Sequence, residues 1–279
     1  LFCEESLPFA NDDPDRALWF AEKALELAGM LPGERRRRQR ARGYAGFFVA
    51  NAWRAKGDLN AARAAREQAT KLWLEGKGSE PGLFRETRVL GLQAAMLGSE
   101  EQFQDALELY EEALRLPSSP EKSTLLIGKA LTLEKLGAYE EALAVLSSAH
   151  QDIPEDDARL QMCTLFNRTV LYCHLQRFPE AAALLPELHD QVEELDLDLV
   201  RARLDWLQGR VAKGLGDSQL ALTAFEKARQ AFAARNVGYD EALVSLELAK
   251  TLAELVRLRH VLDARDRQAA DWVHVLHAA

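Results

Sequence analysis

A chain of 279 residues, 48% hydrophobic and 28% charged, is long enough for an extended folded core and too apolar to stay disordered. Its net charge of −9 argues against a general nucleic-acid binder, and three cysteines are too few for a disulfide scaffold. The longest apolar stretch, Gly43 to Trp53, falls short of the roughly 18 residues that span a bilayer, so no membrane association and a cytoplasmic location are expected. The chain opens Leu1-Phe2-Cys3 with neither Met nor a signal-peptide pattern, and is expected to be part of a longer protein.

In chain order, the first element is a lone helix over 12–30. Asp13 is an acidic N-cap and Pro14 takes the first helical position. Its partner is either lost or lies within Leu1 to Asn11. A helix pair over 35–75 follows, turning at Gly57-Asp58-Leu59-Asn60-Ala61-Ala62 after Ala50 and Trp53. The pair over 81–117 turns at the degenerate Glu101-Gln102-Phe103-Gln104-Asp105-Ala106 and leads into Tyr110 and Ala113.

The clearest unit occupies 120–153. It reads Leu125-Leu126-Ile127-Gly128-Lys129-Ala130, then Leu136-Gly137-Ala138-Tyr139-Glu140-Glu141-Ala142, and Pro154 stops it. Ala130 and Ala142 let two backbones approach, and Gly137 supplies the left-handed residue that ends a helix. The pattern returns in 156–194 as Gln176-Arg177-Phe178-Pro179-Glu180-Ala181, with Gln in place of the turn Gly. It returns again in 197–235 as Gly216-Asp217-Ser218-Gln219-Leu220-Ala221, with Trp206 and Gly209 before it and Phe225 and Ala228 after. A last pair is expected over 238–277, from helices at 239–257 and 259–276. Short polar turns at Leu116–Pro120, Gly76–Pro81 and Pro154–Asp157 separate the pairs, and no linker divides the chain, so 1–279 reads as one repeat domain.

The turns at 57, 101, 137, 176 and 216, about 40 residues apart, together with these alanine and aromatic positions, resemble the tetratricopeptide repeat family. The usual period is about 34 residues, so these helices are expected to be about a turn longer. The resemblance implies an all-α solenoid of about six antiparallel helix pairs wound as a right-handed superhelix. Thr169 and Arg66 fill signature positions with other residues. More narrowly, Leu204-Asp205-Trp206-Leu207-Gln208-Gly209-Arg210-Val211 and Tyr239-Asp240-Glu241-Ala242-Leu243-Val244-Ser245-Leu246 resemble repeat regions that accompany bacterial helix-turn-helix regulators.

In this family the first helix of each pair lines the concave side. Counting back from each turn then gives the expected partner-binding residues: Tyr44, Phe47, Asn51 and Arg54, next Arg88, then Arg203, Trp206, Arg210 and Lys213, and last Lys250. Arg203, Arg210 and Lys213 are spaced seven and three apart, so they share one helix face. A basic stripe in an acidic chain suits an acidic peptide or carboxylate-bearing partner. Trp206 either anchors that partner or packs between neighbouring helices.

Catalytic chemistry finds little support. Cys163 and Cys173 stand about 15 Å apart along one helix, and His174, adjoining Cys173, points another way. His274 and His277 have metal-ligand spacing without a third ligand, and Gly76-Lys77-Gly78-Ser79 fails the phosphate-loop pattern. The run Arg35-Arg36-Arg37-Arg38-Gln39-Arg40-Ala41-Arg42 lacks interleaved aromatics and reads as a solvated helix face. The expectation is therefore a non-catalytic scaffold or regulatory module that binds a protein or peptide, with no cofactor, no metal and no direct nucleic-acid contact. The alternative is a ligand- or peptide-sensing domain of a larger bacterial transcriptional or signalling regulator. The terminal helix with Trp272, Val273 and Val275 offers an end contact for a homodimer or for a further repeat.

Overall fold

The computed structural model describes residues 2–10, 13–78, 84–117, 121–154 and 156–277, with side chains as far as His260. It is an all-α solenoid whose chain divides into two compact units, Leu1–Asn167 and Arg168–Ala279. The first unit holds α1 (Phe2–Ser6), α2 (Pro14–Gly29), α3 (Arg35–Ala55), α4 (Leu59–Glu75), α5 (Glu86–Ser99), α6 (Phe103–Arg115), α7 (Lys122–Lys135), α8 (Tyr139–Gln151) and the start of α9 (Ala158–His174). The second holds the end of α9 with α10 (Phe178–Glu194), α11 (Asp198–Gly214), α12 (Ser218–Ala234) and α13 (Gly238–His277).

Each pair is closed by the same backbone device. Gly57, Glu101, Gly137, Gln176 and Gly216, the five expected turn residues, all have positive φ, between 56° and 86°. Around each, the amide of the following residue donates to a carbonyl five residues back: Asp58 to Trp53, Gln102 to Leu97, Ala138 to Leu133, Arg177 to Tyr172, and Asp217 to Ala212. This is a Schellman cap, which satisfies carbonyls a helix end would otherwise leave orphaned. Asp58 and Asp217 then start the next helix by accepting the amides of Ala61 and Leu220, so one turn ends one helix and opens its partner.

Past the turn, Ala62, Ala106, Ala142, Ala181 and Ala221 are all buried where the second helix returns against the first. In the first unit α3 packs on α4, α5 on α6 and α7 on α8, while α3 meets α5 and α5 meets α7, the order of stacked pairs. Their core gathers Phe47, Phe48, Trp73, Val89 and Met96, continued by Leu90, Tyr110 and Leu125. In the second unit α10, α11, α12 and α13 pack in succession around Phe225, Phe232, Ala228 and Val244.

One open alternative is settled and one expectation changes. The helix sought inside Leu1–Asn11 exists as α1 and packs on α2, so the opening helix has a partner. The last pair, expected as 239–257 and 259–276, is one 40-residue helix, α13. The sequence Val256-Arg257-Leu258-Arg259-His260-Val261 explains it: no Gly, Pro or Asn stands there to take a left-handed turn or break the backbone ladder.

Candidate functional site

The expected partner-binding residues of the first unit are drawn into its interior. Phe47 is fully buried in the core, and Asn51 is buried with its Oδ1 accepting from Arg54 Nε at 3.1 Å. Tyr44 packs against Phe48, Trp73 and Phe84, and its Oη donates to Glu4 at 3.1 Å. Burial and then the Glu4 carboxylate push the Tyr44 phenol upward from its ordinary value. Arg88 is held in a cluster in which Glu4 and Glu121 serve two guanidinium groups. It lies 3.4 Å from Glu4 and 3.5 Å from Glu121, while Arg85 lies 2.7 Å from Glu121 and also pairs with Glu4. Thr87 donates to the same Glu121 at 2.9 Å. Glu121 is almost wholly buried, so this balanced cluster fixes the starts of α5 and α7 against α1. Neither carboxylate was legible as a partner, because Glu4 and Glu121 sit far from Arg88 in sequence and outside the repeat pattern.

Arg54 differs from these neighbours. Burial lowers its pKa, and its contacts are neutral ones, to Asn51 and, at 3.5 Å, to Ser99 Oγ. Among the described residues it pairs with no carboxylate.

In the second unit α11 does carry Arg203, Trp206, Arg210 and Lys213 on one face, yet the stripe is not a bare basic surface. α13 lays an acidic row beside it. Arg203 lies 3.3 Å from Asp240, and Lys213 lies 3.1 Å from Glu254 and 4.0 Å from Glu247. Lys250 shares Glu247 at 3.7 Å. Asp240, Glu247 and Glu254 recur every seven residues and so line one face of α13. That heptad spacing stands within the expected 239–257 helix, but nothing in it says which cations the row would face.

Arg210 is the member of this row left over. It is half-buried, and among the described residues it has neither an ion pair nor a hydrogen bond. It stands close enough to Cys173 to pull that thiol's pKa down, though burial dominates and the thiol is raised overall. Beside it, Trp206 packs against the core of the unit while its buried indole Nε1 lacks an acceptor. Of the two readings of Trp206, the structure shows the packed ring, with its indole N–H unused.

No described helix is long and apolar enough to cross a membrane, and no three described His, Cys, Asp or Glu side chains converge as metal ligands. The side chains of His274 and His277, like those of Trp272, Val273 and Val275, lie outside the described residues.

Comparison with known proteins agrees with this architecture. Residues 99–163 match the family model described as tetratricopeptide repeat. No curated protein sequence is significantly similar. Among solved structures, BtubC (BKLC) from P. vanneervenii is similar at 21% identity with a TM-score of 0.60, over 80% of this chain and 92% of that one. A Rap protein complexed with Competence and Sporulation Factor is similar at 14% identity with a TM-score of 0.69, over 95% and 74%. PilW, a type IV pilus biogenesis factor, is similar at 15% identity with a TM-score of 0.57, over 87% and 96%. Residues 99–163 carry the match to the tetratricopeptide repeat model, and the pairs on either side repeat their positive-φ turn and buried alanine.

Proposed function

We propose that the protein is a non-catalytic interaction module whose α11–α13 face binds a carboxylate-bearing segment of a protein or peptide partner. Arg210 carries this reading. Its guanidinium has no carboxylate partner among the described residues and stays open to an incoming acceptor, whereas its neighbours Arg203 and Lys213 are already neutralised from α13. A carboxylate entering beside Arg210 supplies the missing charge-assisted hydrogen bonds, and the orphaned Trp206 N–H stands next to it. Arg54 is a comparable cation in the first unit and extends the reading there. The Rap protein among the structural neighbours was solved with a bound factor, which shows the same helical architecture holding a ligand in that protein.

The non-catalytic part rests on the thiols. Burial raises the pKa of Cys3, Cys163 and Cys173, which keeps each as a neutral thiol and a poor nucleophile. A sensing role within a larger regulator would use the same face, with occupancy changing the packing of α11 on α13.

Fluorescence anisotropy with a fluorescein-labelled hexaglutamate peptide tests the reading. Arg210→Gln is expected to weaken binding by about tenfold, in line with a charge-assisted bond of roughly 1.5 kcal/mol. Arg203→Gln, whose charge Asp240 already satisfies, is expected to change it less than threefold. Equal losses from both substitutions, or none from Arg210→Gln, would sink the proposal.

A further inference from the structure

The arginine run at the start of α3 is not simply solvated. Arg35, Arg38 and Arg42 follow at three and four residues, so they form one stripe, and Lys71 faces them from α4 across a cleft of about 400 Å³. Arg38 and Arg42 are half-buried, and Arg38 donates to the carbonyl of Gly33. Against these four cations the cleft contains one carboxylate, Glu75, which already accepts from Gln39 at 2.5 Å. Among the described residues Arg35, Arg42 and Lys71 have no carboxylate partner.

Four like charges converging on one cleft repel one another and focus a positive potential there, against the chain's overall −9. We propose that this cleft is a binding site for a small polyanion carrying two or more phosphoryl groups. Three features set that class. Arg35 to Arg42 spans about 10 Å along α3, more than one phosphate or carboxylate covers. Guanidinium forks match phosphoryl oxygens in pairs of parallel hydrogen bonds. The lining has no aromatic ring on which a base could stack, and Leu72 is its one large apolar side chain, which disfavours both nucleic acid and an apolar ligand. The proposal is independent of the α11–α13 face, since it concerns other residues in the first unit.

Isothermal titration of the whole chain with sodium tripolyphosphate, at fixed ionic strength, tests it. Inorganic phosphate, citrate and a short single-stranded oligonucleotide serve as comparators. Tripolyphosphate is expected to bind one to one, and at least tenfold more tightly than phosphate, citrate or the oligonucleotide. Arg42→Gln and Lys71→Gln are each expected to weaken it about tenfold. Lys71 is exposed, so its variant keeps the test valid should Arg42→Gln fail to fold. Glu75→Gln, which removes the opposing charge, is expected to tighten binding several-fold. Citrate or the oligonucleotide binding as tightly, undiminished affinity in Lys71→Gln, or no binding of tripolyphosphate would each overturn the assignment.

Discussion

At the scale of single residues, two features carry testable energetic consequences. Gln176 adopts φ 56° at a turn where Gly57, Gly137 and Gly216 stand in the equivalent place. A side chain in that region costs about 1 kcal/mol, part of which glycine gives back through its greater freedom when unfolded. Gln176→Gly is therefore expected to stabilise the protein by about 0.5 kcal/mol, with Gln176→Asn between the two. Thermal unfolding checks the order, and a Gly variant less stable than wild type would contradict it. The second feature is titration. Burial pushes the Cys3 thiol up to about 12 from 9.0 and the Tyr110 phenol up to about 12 from 10.0, and Tyr44 rises as well. The folded chain thus holds protons that the unfolded chain releases. Their contribution to stability is complete below about pH 9 and is lost as pH rises toward about 12. Tyr44→Phe should flatten the fall of the unfolding midpoint between pH 9 and 11, and an unchanged slope would count against the burial assigned to Tyr44. The turn residues were legible because a left-handed cap needs Gly or a polar stand-in at a fixed offset. The ion pairs of Arg203 and Lys213 were not, because their partners lie on another helix and no local pattern records a pairing.

At the scale of elements, close approach within a pair rests on small residues. A Cβ added at Gly43 of α3 would sit 2.5 Å from the backbone nitrogen of Trp73 on α4. Alanine is the better helix former by about 1 kcal/mol, yet the atom it meets is backbone and cannot swing aside. Gly43→Ala is expected to cost about 1–3 kcal/mol in denaturant unfolding. A neutral or stabilising result would mean that α3 and α4 stand further apart than described. Helix existence was legible in the sequence from α2 to α12, and so was the pairing of α3 with α4, α5 with α6, α7 with α8 and α11 with α12, because apolar spacing and turn chemistry agree there. α13 was misread because the repeat length predicted a turn that its residues do not supply.

At the scale of the whole molecule, stacking α3 on α5 and α5 on α7 within the first unit turns a local pattern into an ordered row of side chains. Counting back from each turn named the α11 row correctly as a set sharing one face. It did not foresee that the first unit spends Tyr44, Phe47 and Asn51 on packing, since exposure depends on what covers a helix. The proposed binding role falls to the cations left without an internal carboxylate, foremost Arg210. Hydrogen–deuterium exchange of the whole chain with and without hexaglutamate tests that claim most directly, because it locates the bound peptide without presupposing a variant. Slowed exchange is expected to concentrate in α11 and the facing part of α13, and to need about tenfold more peptide in Arg210→Gln. Protection confined to α12, or to the arginine cleft between α3 and α4, would contradict it.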